Sequence, residues 1–236
     1  MSPAHAREPA RAACAERNDN MGVGVIGAGT NGTAIARAFA RAGMQVIISN
    51  SRGPDTLKHL ARRIGPTVRG GTREEAAASE MVVVAVNWSN LAAAVSDLPD
   101  WGGRIVVDAN NPIEPPLFKT EHLGGRSSSE VFADLVPGAS VIKAFNHLEP
   151  HLIANPYRGE GARRVLFYSG DNKDAKERFG GAVDWLGFFG VDLGPLAIGS
   201  RLTQYPAGPL ARHEFLKAHG RPSQSIERIG GAASSN

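Results

Sequence analysis

One cysteine in 236 residues, Cys14, leaves the chain without an intramolecular disulfide, which suits a reducing, cytoplasmic setting. Long apolar runs are missing too, since no window approaches the ~18 residues that a membrane helix requires. Concentrated charge is scarce. The net charge is +3 and much of the basic content lies near the ends, as in residues 7–17. Without a basic stripe or aromatic platforms, nucleic acid is not an expected partner. No His, Cys, Asp or Glu cluster has metal-ligand spacing, so no metal is expected. The acids Asp171 and Asp174 read as a charged helix start. What is present, 42% hydrophobic and 21% charged residues, fits a globular chain of one large domain or a main domain with an appendage.

Residues 1–20 lack the apolar stretch of a secretory signal, and Glu8, Glu16 and Asp19 argue against an acid-poor transit peptide. Met21 directly precedes the first strand-like run. The leader is therefore either a disordered extension or an artefact of the assigned start, and Cys14 within it reads as an inert thiol. From about residue 222 the chain turns small and polar, as a disordered tail does.

Between those ends, apolar strand-like runs alternate with helical patterns. Residues 23–26, 45–48, 67–69, 81–86, 104–108 and 141–145 read as strands. Ile35, Ala38, Phe39 and Ala42 mark one helix face, closed by Gly43. Further helices are expected over 54–64, 72–79, 88–98 and 127–136, with Thr72/Glu75 and Ser127/Glu130 as capping boxes. This alternation predicts an α/β fold, a doubly wound parallel Rossmann sheet over residues 21–147. A strand, a helix and a strand at 164–168, 173–186 and 188–193 predict a small C-terminal α/β part over residues 148–221, packed on the sheet.

The turn Gly27-Ala28-Gly29-Thr30-Asn31-Gly32 ends the first strand and opens the first helix. That is the context in which G-x-G-x-x-G binds a dinucleotide. Gly27 allows the tight turn, Gly29 leaves room for a pyrophosphate, and Gly32 lets helix and strand pack closely. The helix dipole and free amides hold the anion. The alternative is a glycine loop with no ligand. Enzymes that use NAD carry an acid at the end of the second strand to bind the ribose 2′-hydroxyl. Here Ser49-Asn50-Ser51-Arg52-Gly53-Pro54 offers none before Asp55. Ser51 and Arg52 suit a 2′-phosphate, so NADP(H) is the expected cofactor. A solvated polar loop is the plainer reading.

Three further strand ends point to the same crevice: Ala85-Val86-Asn87-Trp88, Asp108-Ala109-Asn110-Asn111-Pro112 and Lys143-Ala144-Phe145-Asn146-His147. With GVIGAGTNG, ISNSRGP, VVVAVNW, IVVDANNP, GGRSSSE, KAFN and VDLGPL in this order, the chain resembles the F420-dependent NADP oxidoreductases over residues 22 to about 210. These are in turn similar to the NADPH-binding domain of the STEAP metalloreductases. The resemblance implies that Gly27, Gly29, Thr30, Asn31 and Gly32 form the phosphate loop, and that Ser51 and Arg52 bind the 2′-phosphate. It also implies that Val86, Asn87 and Trp88 flank the cofactor and that Asn110, Pro112, Ala144 and Asn146 border the nicotinamide. A homodimer is implied by the resemblance alone. Two positions depart from the family: Asn87 stands where Pro commonly precedes the Trp, and His147 stands where Thr often follows KAFN.

Hydride transfer from NADPH to F420, a flavin or another small electron acceptor needs stacking and distance control. It needs no side-chain acid, because the acceptor's heterocycle takes up the charge. His147 is the one weak catalytic candidate, as a donor to the acceptor; the alternative is a hydrogen-bonded histidine at a strand end. Trp88 reads equally as acceptor platform or packing residue. Arg126 with Ser127 reads as a helix cap before an anion site. A hydroxyacid dehydrogenase or imine reductase would continue into a long all-helical domain that this chain lacks. An NADP(H)-binding redox regulator without turnover is the alternative from another class.

Overall fold

The computed structural model describes residues 22–114, 119–120, 122–156 and 161–218. The leader, Cys14, Met21 and the tail from 222 lie outside them. Strand β1 (Val23–Ile26) leads into helix α1 (Thr30–Arg41), β2 (Val46–Ser49), a 3-10 turn (Pro54–Leu57), α2 (Lys58–Ile64) and β3 (Val68–Gly70). Next come α3 (Arg73–Ala77), β4 (Met81–Val84), a 3-10 turn (Trp88–Asn90), α4 (Leu91–Val95) and β5 (Ile105–Asp108). A two-stranded ribbon, β6 (Ile113–Glu114) with β7 (Lys119–Thr120), precedes α5 (Ser128–Leu135) and β8 (Ser140–Ala144). The chain ends in α6 (Pro150–Ala154), β9 (Ala162–Gly170), α7 (Lys173–Leu186), β10 (Phe189–Asp192), a π-helical turn (Leu196–Ser200), α8 (Arg201–Thr203) and β11 (Leu216–Ala218).

The main sheet has nine strands. Six of them, in the order β3-β2-β1-β4-β5-β8, are all parallel. This is the doubly wound Rossmann order, which reverses between β1 and β4. The C-terminal part packs its helix α7 on one face of the sheet, as expected, but its strands join the sheet itself. Strand β9 pairs antiparallel with β8, β10 runs parallel to β9, and β11 pairs antiparallel with β9, so these strands lengthen the sheet at its edge. Strand order and direction depend on long-range pairing, which the local apolar pattern does not encode.

Period-two alternation puts the strand residues into two cores. Val23, Val25, Met81, Val83, Val107, Ile142 and Ala144 meet Ile35, Phe39, Phe179 and Val183 of α1 and α7 on one face. Ile26, Val82, Val84, Val106 and Val141 meet Ala76, Leu91 and Phe132 of α3, α4 and α5 on the other. Strands covered on both faces are apolar throughout, as the run Met81–Val84 is. Both capping boxes form as expected. Gly43 (φ 86°) follows the end of α1, and Gly187 (φ 95°) ends α7 in the left-handed region that glycine tolerates. The helix expected over 88–98 is shorter, because Ser96 turns extended (ψ 154°) and Asp97 takes a positive φ.

Candidate nucleotide site

At the switch point between β1 and β4 lies an open cleft of about 270 Å³, lined by Gly29, Thr30, Asn31, Ala85, Val86, Asn87, Trp88, Ala109, Asn110, Asn111 and Ile113. None of these side chains is ionisable. Ligands of open α/β sheets bind at this place, beyond the carboxyl ends of the strands.

The turn that opens the cleft is shaped by contact with backbone. Gly27 takes φ 114°, and a Cβ there would stand 2.1 Å from the Ala85 carbonyl oxygen. Its amide donates to the Ser49 carbonyl at 3.0 Å, so the ends of β1, β2 and β4 converge on it. A Cβ on Gly32 would stand 1.9 Å from the Gly27 carbonyl oxygen, so α1 leans directly on the turn. Gly29 differs: nothing lies within 4 Å of its would-be Cβ. It begins α1 with no side-chain cap, and the first turn holds no acid. The helix therefore offers free amides and the positive end of its dipole to the cleft.

After β2 the Asn50 side chain organises the loop. Its Oδ1 accepts from the Arg52 amide at 2.9 Å, its Nδ2 donates to Thr56 Oγ1 at 3.0 Å, and Thr56 Oγ1 donates to the Gly53 carbonyl at 2.8 Å. Ser51 and Arg52 are held exposed on the surface, outside the cleft lining. The Arg52 guanidinium has no ion pair among the described residues. Asp55, the nearest acid in sequence, is 2.7 Å from Lys58, whose hydrogen bond and charge hold its carboxyl below the ordinary value.

The opposite wall is built from buried polar side chains. Asp108 Oδ1 accepts from the Asn110 amide (3.0 Å) and Asn110 Nδ2 (2.8 Å). Its Oδ2 accepts from Ser129 Oγ (2.7 Å) and Lys143 Nζ (3.0 Å). Lys143 Nζ also donates to the Asn110 carbonyl and to Ser128 Oγ. Asn110 Oδ1 accepts from the Val86 amide at 2.8 Å, tying β5 to the end of β4. Burial pulls the Lys143 ammonium below its ordinary pKa, and Asp108 opposes that shift. Beside it, Asn111 Nδ2 donates to the Asn146 carbonyl (2.9 Å), and Asn111 Oδ1 accepts from Asn146 Nδ2 (3.0 Å) and the Tyr205 amide (2.9 Å). Asn146 Nδ2 also donates to the Thr203 carbonyl at 2.8 Å.

Of the residues expected from sequence, Gly29, Thr30, Asn31, Val86, Asn87, Trp88 and Asn110 line the cleft together. Gly27 and Gly32 shape the turn from beneath. Pro112 and Asn146 are buried, and Asn146 reaches the cleft only through Asn111. Ala144 is fully buried in the core and borders nothing in the cleft. His147 is corrected more sharply. It is 1% exposed, its ring lies 5.3 Å from that of Phe167, and its Nε2 accepts from the Phe167 amide at 3.4 Å. Burial, aided by the Lys143 charge, pushes its pKa down to about 3. Buried outside the cleft lining, this ring does not reach an acceptor held there. Trp88 lines the cleft and packs on the second core. Arg126 is engaged by Asp134 at 2.6 Å beside the Ser127/Glu130 box, which is the cap arrangement.

Ala85, Ala109 and Asn111, expected only as parts of strand ends pointing to the crevice, also line it, whereas sequence reasoning missed Ile113 in the lining and the Asp108–Lys143 pair behind it. A signal for the pair was present: each charge sits inside an apolar strand run, and a charge in a doubly covered strand needs a partner. Among the described residues, no group of three or more His, Cys, Asp or Glu could hold a metal. No helix among them is long and apolar enough to cross a membrane.

Comparison with known proteins agrees with this geometry. Residues 22–112 match the family model described as NADP oxidoreductase, coenzyme F420-dependent. A hypothetical protein from Sinorhizobium meliloti, SMa0349, is 43% identical with a TM-score of 0.77, over 82% of this chain and 94% of that one. An Arthrobacter sp. FB24 protein assigned as an F420-dependent NADP reductase is 26% identical with a TM-score of 0.65, over 75% of this chain and 86% of that one. Metalloreductase STEAP3 of Rattus norvegicus is 30% identical over 185 residues, 78% of this chain and 36% of that protein. The chain thus spans about a third of that curated relative. With a Rossmann sheet, an uncapped glycine turn at its switch point and these matches, residues 22–112 form an NADP-dependent oxidoreductase-type domain similar to the F420-dependent NADP oxidoreductases.

Proposed function

We propose that the chain binds NADPH across the cleft and passes its hydride to a small planar electron acceptor of the deazaflavin or flavin kind. The observation that carries this reading is a cleft that begins at an uncapped helix N-terminus and has no ionisable side chain in its lining. A carbonyl or imine substrate calls for a positioned proton donor. A flavin-like ring takes up the charge itself, so walls of Asn, Ala and Trp suffice. The open space at Gly29 suits the pyrophosphate. Exposed Ser51 and Arg52 suit the 2′-phosphate. Val86, Asn87, Trp88 and Asn110, with Asn111, would flank the nicotinamide end.

The test is NADPH consumption, followed by its near-UV absorbance, with F420, FMN, FAD, ferric chelates and quinones offered in turn. Turnover with F420 or a flavin is the expected result. Tight NADPH binding with no oxidation by any acceptor would favour a redox-sensing regulator instead. A cytoplasmic homodimer is the assembly carried over from the family resemblance, and size-exclusion chromatography with light scattering checks the dimer.

A further inference from the structure

Asp108 and Lys143 form an ion pair with side chains 0% and 1% exposed. Burying such a pair carries a desolvation cost that apolar residues of similar size avoid, so stability alone is a weak reason for its presence. Its hydrogen bonds converge on one cleft residue. Asp108 holds the amide and the side-chain nitrogen of Asn110, Lys143 holds its carbonyl, and the remaining side-chain oxygen holds the Val86 amide. One hydrogen of Asn110 Nδ2 has no partner among the described residues. Behind the pair, Ser128 and Ser129 fasten it to the start of α5, whose Ser128 amide donates to Gln204 Oε1 at 2.9 Å. The charges therefore lock β5, β8 and α5 together at the depth of the cleft wall.

We propose that Lys143 and Asp108 are positioning residues, which hold Asn110 and Val86 in the one arrangement that seats the nicotinamide end of NADPH. The proposal rests on the reading above that the cleft takes NADPH. Removing Lys143 alone would strand a buried carboxylate, so the decisive variant is Lys143→Met with Asp108→Leu, which removes both charges. Replacing a buried pair by apolar residues is often neutral for stability, so this variant should melt within a few degrees of the parent. It should nevertheless bind NADPH about tenfold more weakly in a fluorescence titration. Its kcat should fall about 100-fold, and by more than KM rises, as when a reacting group is displaced by about 1 Å. Backbone hydrogen exchange at Val86 should quicken.

Parent-like NADPH affinity and an unchanged Val86 exchange rate in the double variant would overturn the proposal. Should the double variant not fold, Asn110→Ala keeps both charges and removes the link to Val86; it must show the same loss of affinity and the same faster exchange, or the proposal fails. If the parent itself binds no NADPH, the reading of the cleft falls. The Val86 exchange comparison then still decides whether the pair holds this wall.

Discussion

The two walls of the cleft are made from different materials. On the β1 side, three glycines and the open end of α1 do the work, and what faces the ligand is backbone. On the β5–β8 side, Asn110 and Asn111 face the cleft because Asp108, Lys143, Ser129, Asn146 and Tyr205 hold them from behind. A backbone wall is specified by a few adjacent residues and tolerates no added atom where it presses on its neighbours. A side-chain wall is specified by residues far apart in the chain and is only as firm as its buried bonds. The first suits a group common to all dinucleotides, and the second suits the end where the acceptor must be placed.

The sharpest way to break this contrast is to add one methyl group to the backbone wall. Gly32→Ala drives a Cβ into the Gly27 carbonyl at 1.9 Å. Alanine's better helix propensity does not offset this. A loss of about 3 kcal/mol, the upper part of the usual range for overpacking, is expected in urea unfolding. Gly29→Ala meets nothing within 4 Å, so stability should stay within about 0.5 kcal/mol of the parent while NADPH binding weakens. Equal stability losses in both variants would show that the two glycines share one role. At the far end of the nucleotide, Arg52→Ala should cost NADPH about 1.5–3 kcal/mol of binding, the range for hydrogen bonds to charged groups, and leave NADH nearly unchanged. Equal weakening of both cofactors in paired titrations would mean that Arg52 supports the loop and does not read the phosphate.

The side-chain wall makes its own prediction through pH. His147, held neutral behind it, has a folded pKa of about 3 against an ordinary 6.5. The folded protein therefore binds fewer protons than the unfolded chain between these values. The stability from this group is fully present above pH 6.5 and is lost as pH falls toward 3. At pH 5 the loss is about 2 kcal/mol, measurable by urea unfolding at pH 7 and pH 5. His147→Gln should flatten that slope. An unchanged slope would place the acid sensitivity elsewhere.

The same contrast explains what the sequence could disclose. The turn 27–32, the acid-free loop at 49–54 and both capping boxes are local chemistry, readable from neighbouring residues. So are the apolar strands, because burial on both faces leaves a continuous run. Asn111 was legible only as part of a strand end, and what holds it was hidden, since its partners Asn146 and Tyr205 lie 35 and 94 positions away. The antiparallel entry of β9 was equally hidden. KAFN was noticed, yet its members divide: Lys143 and Asn146 brace the wall, while Ala144 and Phe145 face the core, with Phe145 at φ 64°. A strand-end motif marks a place, and only the pairing shows which side chains reach it.

The smallest effect is expected at Asn87. Asn87 is exposed, with φ −64° and ψ 149°. Proline's ring fixes φ near that value, so Asn87→Pro enters without backbone strain and removes freedom from the unfolded chain. The expected change is a gain of about 0.4–1 kcal/mol in urea unfolding, with NADPH affinity unaltered because the phosphate turn and Asn110 are untouched. What should move is the rate with different acceptors, since residue 87 lines the open side beside Trp88. A variant that is more stable yet keeps the parent's order of acceptors would show that residue 87 shapes the loop and not acceptor choice. A loss of stability would mean that the loop between β4 and the Trp88 turn needs the amide hydrogen that proline lacks.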